Sequence, residues 1–184
     1  MYLRYLIIGV FLLLTSATYP CSCEWGGNFI VSTKNSPLVV KVKVIETLYH
    51  FEDGKTISDK NEWEEYVLLK EQEYYLSIKV EVIQKLKGFE ERKTFEIYGS
   101  NGFDCRESVG QFEPGKTYIF ALHPSSNSEY NAPNEDEDDY WIWGCSEHWL
   151  TYDLESDEVT GYIFGKKRKK LKTIPLDRFI KKLR

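Results

Sequence analysis

Four cysteines carry the most evident chemistry in this 184-residue chain: Cys21 and Cys23 flank Ser22, and Cys105 and Cys145 lie far downstream. A cysteine can oxidise to a disulfide, ligate a metal as thiolate, or attack as a nucleophile. Cys145-Ser146-Glu147-His148 has a Cys-x-x-His spacing that could hold a metal together with Cys21 and Cys23. His50 and His123 stand alone in the sequence, and no Gly-x-Ser-x-Gly, His-Glu-x-x-His or phosphate-cradling loop is present. The expectation is a protein that is not an enzyme and has no cofactor.

Which cysteine chemistry applies depends on the compartment. Arg4 supplies a positive n-region, Leu6 to Leu14 an apolar h-region of nine residues, and Thr15-Ser16-Ala17 a small-residue end. Residues 1–17 therefore read as an export signal, cut after Ala17 or as late as Pro20. Its apolar run is too short to span a bilayer, and no other stretch approaches the roughly 20 residues required. The mature chain is thus expected to be secreted, periplasmic or extracellular, without a transmembrane segment. Export favours disulfides over metal ligation.

Cys21 and Cys23 are too close to pair readily with each other, which leaves two crosswise connectivities with Cys105 and Cys145. Either closes loops of roughly 80 to 125 residues, each contributing about 4–5 kcal/mol by chain entropy.

Charge divides the chain unevenly. Residues 166–184 hold ten basic side chains and one acidic, whereas residues 18–165 hold 13 basic and 28 acidic. An acidic body argues against a nucleic-acid partner; the basic tail could hold an anionic surface or fold back on the body. Asn134 to Asp139 contains five consecutive carboxylates, expected to form a solvated loop.

The elements that must position these residues read mostly as strands. Leu38 to Leu48 alternates lysine (Lys41, Lys43) with valine (Val40, Val42, Val44), as a half-buried strand does. Tyr74 to Leu86, Lys93 to Tyr98, Thr117 to Leu122 and Tyr140 to Cys145 are the next four, with Val159 to Phe164 as a further edge strand. Between the first two, Phe51 to Glu73 reads as a surface insertion, with Trp63, Tyr66 and Leu69 on one face of a short helix or irregular segment. Leu176 to Leu183 reads as a short amphipathic helix inside the basic tail. Tyr140, Trp141 and Trp143 are expected in barrel packing rather than as a stacking platform. The expectation is one all-β domain over residues 21–165, a five-stranded Greek-key OB-fold barrel, followed by the basic tail 166–184 with its helix.

Cys-x-Cys directly after a signal peptide, a Val-rich strand, Lys85-Leu86-Lys87-Gly88, Cys105, Phe112-x-x-Gly115-x-x-Tyr118 and a final Cys145 together resemble the netrin-like module of tissue inhibitors of metalloproteinases. The likeness, to the short form found in exported bacterial proteins, covers roughly Cys21 to Trp149. It implies the pairings Cys21–Cys105 and Cys23–Cys145. It also implies a function: the free amine and carbonyl of Cys21 would chelate the catalytic zinc of a target metalloprotease, Ser22 would enter the specificity pocket, and Cys23 would brace the ridge. A non-inhibitory module that binds a protein or a surface is the alternative.

Overall fold

The computed structural model describes residues 23–100, 104–128, 131–167 and 170–183. The export signal, Cys21 and Ser22 lie outside the described residues. The fold is mostly β-sheet: nine strands form one mixed sheet, β1 (Leu38–Phe51), β2 (Thr56–Ile57), β3 (Tyr74–Lys87), β4 (Thr94–Tyr98), β5 (Thr117–Pro124), β6 (Tyr140–Trp141), β7 (Trp149–Asp153), β8 (Glu158–Gly161) and β9 (Lys172–Pro175). Among the described residues three α-helices accompany it, α1 (Phe29–Ser32), α2 (Lys60–Lys70) and α3 (Leu176–Leu183). Among the described residues no helix is long and apolar enough to cross a membrane.

Strand order is β2-β1-β3-β4-β6-β5-β7-β8-β9, with β1 also paired to β5. The first half of β1 therefore has two neighbours: Leu38–Lys43 faces residues 117–122 of β5 on one side and β3 on the other. A long strand shared in this way must bend. Register shifts at Val39/Val40, Lys41/Val42 and Val44/Glu46 supply the bend, as β-bulges do. All contacts in this circuit are antiparallel except β4–β6.

Two hydrophobic cores lie on the two faces of these strands. One gathers Val40, Val42, Val44, Ile78, Val80, Ile97, Phe112, Phe120 and Ile142. The other takes the residues that alternate with them, Val39, Ile119 and Ala121, and packs them against Phe29, Leu150, Val159, Ile163, Ile174 and Phe179. The half-buried strand expected at Leu38 is thus buried on both faces in its first half, and even Lys41 is only 8% exposed, its ammonium over the Tyr152 ring. Alternation in sequence marks one apolar face; it does not reveal what covers the other.

The sheet is larger than the five barrel strands and one edge strand expected, the edge strand falling at β8. β7, β8 and β9 form an antiparallel extension from β5, and β9 and α3 come from the basic tail. Ile174 and Phe179, which anchor them, are buried in the second core. Conversely, the strand expected over Tyr140 to Cys145 is regular only at Tyr140–Trp141, because the chain beyond it turns to bridge Arg106 through Trp143.

Candidate functional site

Three irregular segments come together where the described chain begins. Cys23 is joined to Cys145 by a disulfide with Cα atoms 5.8 Å apart. Next to it, the Gly26 N–H donates to the Cys145 carbonyl at 2.8 Å and the Glu147 N–H to the Gly27 carbonyl at 3.0 Å, so residues 23–27 run beside 145–147. From the other side, the Gly144 N–H donates to the Cys105 carbonyl at 2.7 Å and the Glu107 N–H to the Ile142 carbonyl at 2.8 Å. Gly144 permits this approach: a Cβ there would stand 2.9 Å from the Arg106 carbonyl oxygen. Gly27, at φ +125°, makes the turn into α1, where a side chain would be strained.

The sulfurs of Cys23, Cys105 and Cys145 lie within 4.8 Å of one another. All three are disulfide-bonded, so none offers a thiolate. The metal reading of Cys145-x-x-His148 fails on that ground, and His148 Nδ1 instead faces Ser146 Oγ at 3.0 Å. Of the two pairings that the resemblance implies, Cys23–Cys145 is present; Cys21–Cys105 involves a residue outside those described.

A half-buried imidazole, His123, and a buried one, His148, lie beside these loops. His123 and His148 have ring centroids 5.5 Å apart, and Trp141 is 5.0 Å and Trp143 6.2 Å from His123. Burial, reinforced by the neighbouring His123, holds the His148 imidazole down to about 4, and burial alone lowers His123. Both are therefore neutral packing groups at physiological pH. Trp141 is 8% exposed and its indole N–H donates to the Pro124 carbonyl at 3.2 Å, which makes it part of the wall rather than an open stacking surface; only Trp143 is substantially exposed.

Arg106, directly after Cys105, anchors the loops ionically. Its Nη1 donates to Glu135 Oε2 at 2.8 Å, its Nη2 to Ser128 Oγ at 2.7 Å, and its Nε meets Asp104 Oδ2 at 3.1 Å. Glu135 also accepts from Ser125 Oγ at 2.5 Å and from the Ala132 N–H at 2.7 Å. The first carboxylate of the acidic run is thus a buried counterion, contrary to a uniformly solvated loop, while Asp136, Glu137 and Asp138 are exposed. Asp139 is partly buried, and burial together with Glu96 and Asp136 raises its carboxyl to about 6.

One grouping escapes sequence inspection altogether. His50 on β1, Ser77 on β3 and Glu96 on β4 meet across adjacent strands, with His50 Nε2 2.8 Å from Ser77 Oγ and Ser77 Oγ donating to Glu96 Oε2 at 2.9 Å. The composition is that of a nucleophile, base and acid, but the arrangement is not. Ser77 is fully buried, its proton goes to the carboxylate, and His50 Nδ1 faces Thr56 Oγ1 rather than an acid. Burial opposes ionisation of Glu96, yet hydrogen bonds from His50 and Ser77 outweigh it and lower its pKa. The trio is a polar clamp across three strands.

A scan against protein-family models finds no match to this chain, and a search of curated proteins finds none either. The functional reading therefore rests on the residues and their geometry.

Proposed function

We propose that this chain is an exported OB-fold module of the netrin-like kind whose Cys21-Ser22-Cys23 ridge inhibits a zinc metalloprotease. The observation that carries the reading is the circuit β1-β3-β4-β6-β5-β1, antiparallel except at β4–β6, with Cys23 cross-linked to Cys145 just beyond β6. A five-stranded Greek-key barrel has this order of neighbours. In this reading β7 to β9, α1 and α3 are additions on its outer face.

The chemistry follows from rigidity. An amine and a carbonyl on Cys21, held by the cross-linked loops, would occupy the open position of a catalytic zinc with little loss of conformational entropy. Ser22 is small and polar enough to enter a specificity pocket. A second reading, a non-inhibitory module that binds a protein or surface, is favoured by Thr15-Ser16-Ala17: cutting there leaves Thr18 first and places the Cys21 nitrogen in a peptide bond, a far poorer zinc ligand.

Two measurements test the proposal. The intact mass of the exported protein identifies its first residue. Inhibition is then assayed against a panel of zinc metalloproteases with protein beginning at Cys21 and with the same protein carrying one extra alanine in front. Inhibition by the first form and at least a hundredfold loss in the second are expected. A Cys21-initiated protein that inhibits no member of the panel, or a native mass beginning at Thr18, would overturn zinc chelation in favour of the binding module.

A further inference from the structure

Residues 172–183 of the basic segment fold onto the domain as β9 and α3, and this changes what they can do. Phe164, Lys170, Leu171, Lys172 and Arg178 line a groove of about 380 Å³ between the start of β9 and α3. Lys170, Lys172 and Arg178 are exposed, and the Lys172 ammonium stands 5.3 Å from the centroid of the Phe164 ring. Leu171, between the two lysines, is 55% exposed. Lys166, Lys167 and Lys182 add exposed charge nearby in the sequence. Among the described residues, no ion pair joins this segment to the acidic body; Lys181 pairs within the segment, with Asp177 at 3.2 Å. Ile174, Leu176 and Phe179 hold β9 and α3 against the second core, so the cations are presented by a fixed scaffold.

We infer that this groove and its rim form a docking face for an anionic lipid bilayer, with the lysines and arginine on lipid phosphates and Leu171 entering the headgroup layer. Charge complementarity selects an anionic partner, and Leu171 selects a bilayer over a soluble polyanion. An exposed leucine between lysines gains by partitioning into the interface, whereas a soluble polyanion offers it no apolar medium. The remainder of the chain is strongly acidic and is repelled by the same surface, so the domain docks in one orientation. The N-terminal segment is tied to this face: Asn28 Nδ2 donates to the Phe164 carbonyl at 2.5 Å and to the Lys167 carbonyl at 3.1 Å. Docking therefore also fixes the attitude of the loops around Cys23. The inference does not depend on protease inhibition.

The test is co-flotation of the full mature protein with vesicles of phosphatidylcholine alone and of phosphatidylcholine with phosphatidylglycerol, at two salt concentrations. Binding to the anionic vesicles only, weakened by salt, is expected. The variant K170A/K172A/R178A should partition about a hundredfold less, from about fivefold per cation near an anionic surface. L171A should reduce partitioning about tenfold with little change in salt dependence. These side chains are exposed, and an unchanged thermal midpoint verifies that each variant is folded. Equal binding by the triple variant, no binding to anionic vesicles, or an L171A variant that binds as the parent does would each overturn the inference. In the last case a heparin-column elution that tracks the cations alone would assign the face to a soluble polyanion.

Discussion

The loops around Cys23 and Cys145 and the ribbon formed by the far part of β1 with β3 are held by different forces. In the loops the backbone is irregular, and its fixtures are covalent or ionic: the Cys23–Cys145 disulfide and the Arg106–Glu135 pair. In the ribbon the backbone is a regular ladder, and its cover is aromatic. Trp63 of α2 stacks on Tyr49 at 4.6 Å and meets Tyr74 edge-on at 5.1 Å, while Tyr66 meets Phe51 at 4.6 Å. Asp59 caps α2 by accepting from the Asn61 and Glu62 N–H groups, yet the helix buries no residue fully, and Leu68 and Leu69 face solvent. A segment without a ladder must have each position specified by a directional bond, whereas a helix laid on a ladder needs only a few rings. The loops should therefore couple to global stability and α2 should open locally.

Removing the cross-link tests this contrast most severely. C23S/C145S opens a loop of sequence separation 122, for which the expected loss is about 4 kcal/mol in chemical denaturation. A loss below about 1 kcal/mol would mean that the hydrogen bonds among residues 23–27, 105–107 and 142–147 suffice alone. Next, Arg106→Met leaves the Glu135 carboxylate buried without its cation and should cost about 3 kcal/mol or more. The double variant R106M/E135L should recover part of that loss; strict additivity of the two single changes would show that the pair is not coupled.

The same region should sense acid. His148, held at about 4 against an ordinary 6.5, is neutral in the fold and cationic in the unfolded chain between those values. Its stabilising contribution is complete above pH 6.5 and is lost as pH falls toward 4, at about 1.4 kcal/mol per unit and roughly 3 kcal/mol in all. Asp139 acts oppositely: raised to about 6 from 3.8, it favours the fold more as pH drops through that range. Comparing the parent with His148→Gln between pH 7 and 4.5 separates the two, since only the parent carries the histidine slope. Equal slopes would remove His148 as the sensor. The smallest effect is expected in the ribbon, where Trp63→Ala removes two ring contacts worth about 2 kcal/mol together. Hydrogen exchange should show α2 opening while the denaturation midpoint of the rest hardly moves; a matching fall in the global midpoint would erase the distinction between the regions.

Much of this architecture was legible in the residue order. The strands expected from Leu38, Tyr74, Lys93 and Thr117 each correspond to a strand of the sheet, and the spacing of Phe179, Ile180 and Leu183 marks α3. Period-two and period-3.6 patterns are local properties, readable wherever one face of an element meets a core. The cysteines likewise narrowed their own pairing to two arrangements. Less was legible at the candidate site, because Arg106 seeking Glu135 and His50 meeting Ser77 and Glu96 are contacts between residues distant in sequence. An arginine directly after a cysteine, between Asp104 and Glu107 and with a carboxylate run downstream, was the one available hint.

Sequence alone thus determined the strand-rich class, the positions of the main strands and the segregation of acidic from basic charge, since each depends on neighbouring residues. Tertiary structure decided the rest. It selected Cys23–Cys145 by bringing the start of the described chain beside the end of β6, buried Glu135 while leaving Asp136 to Asp138 in solvent, and set Lys170 and Lys172 beside Arg178 of α3 around one groove. The physical reason is the same in each case: burial and pairing depend on what the other side of the fold supplies, and no local pattern encodes that.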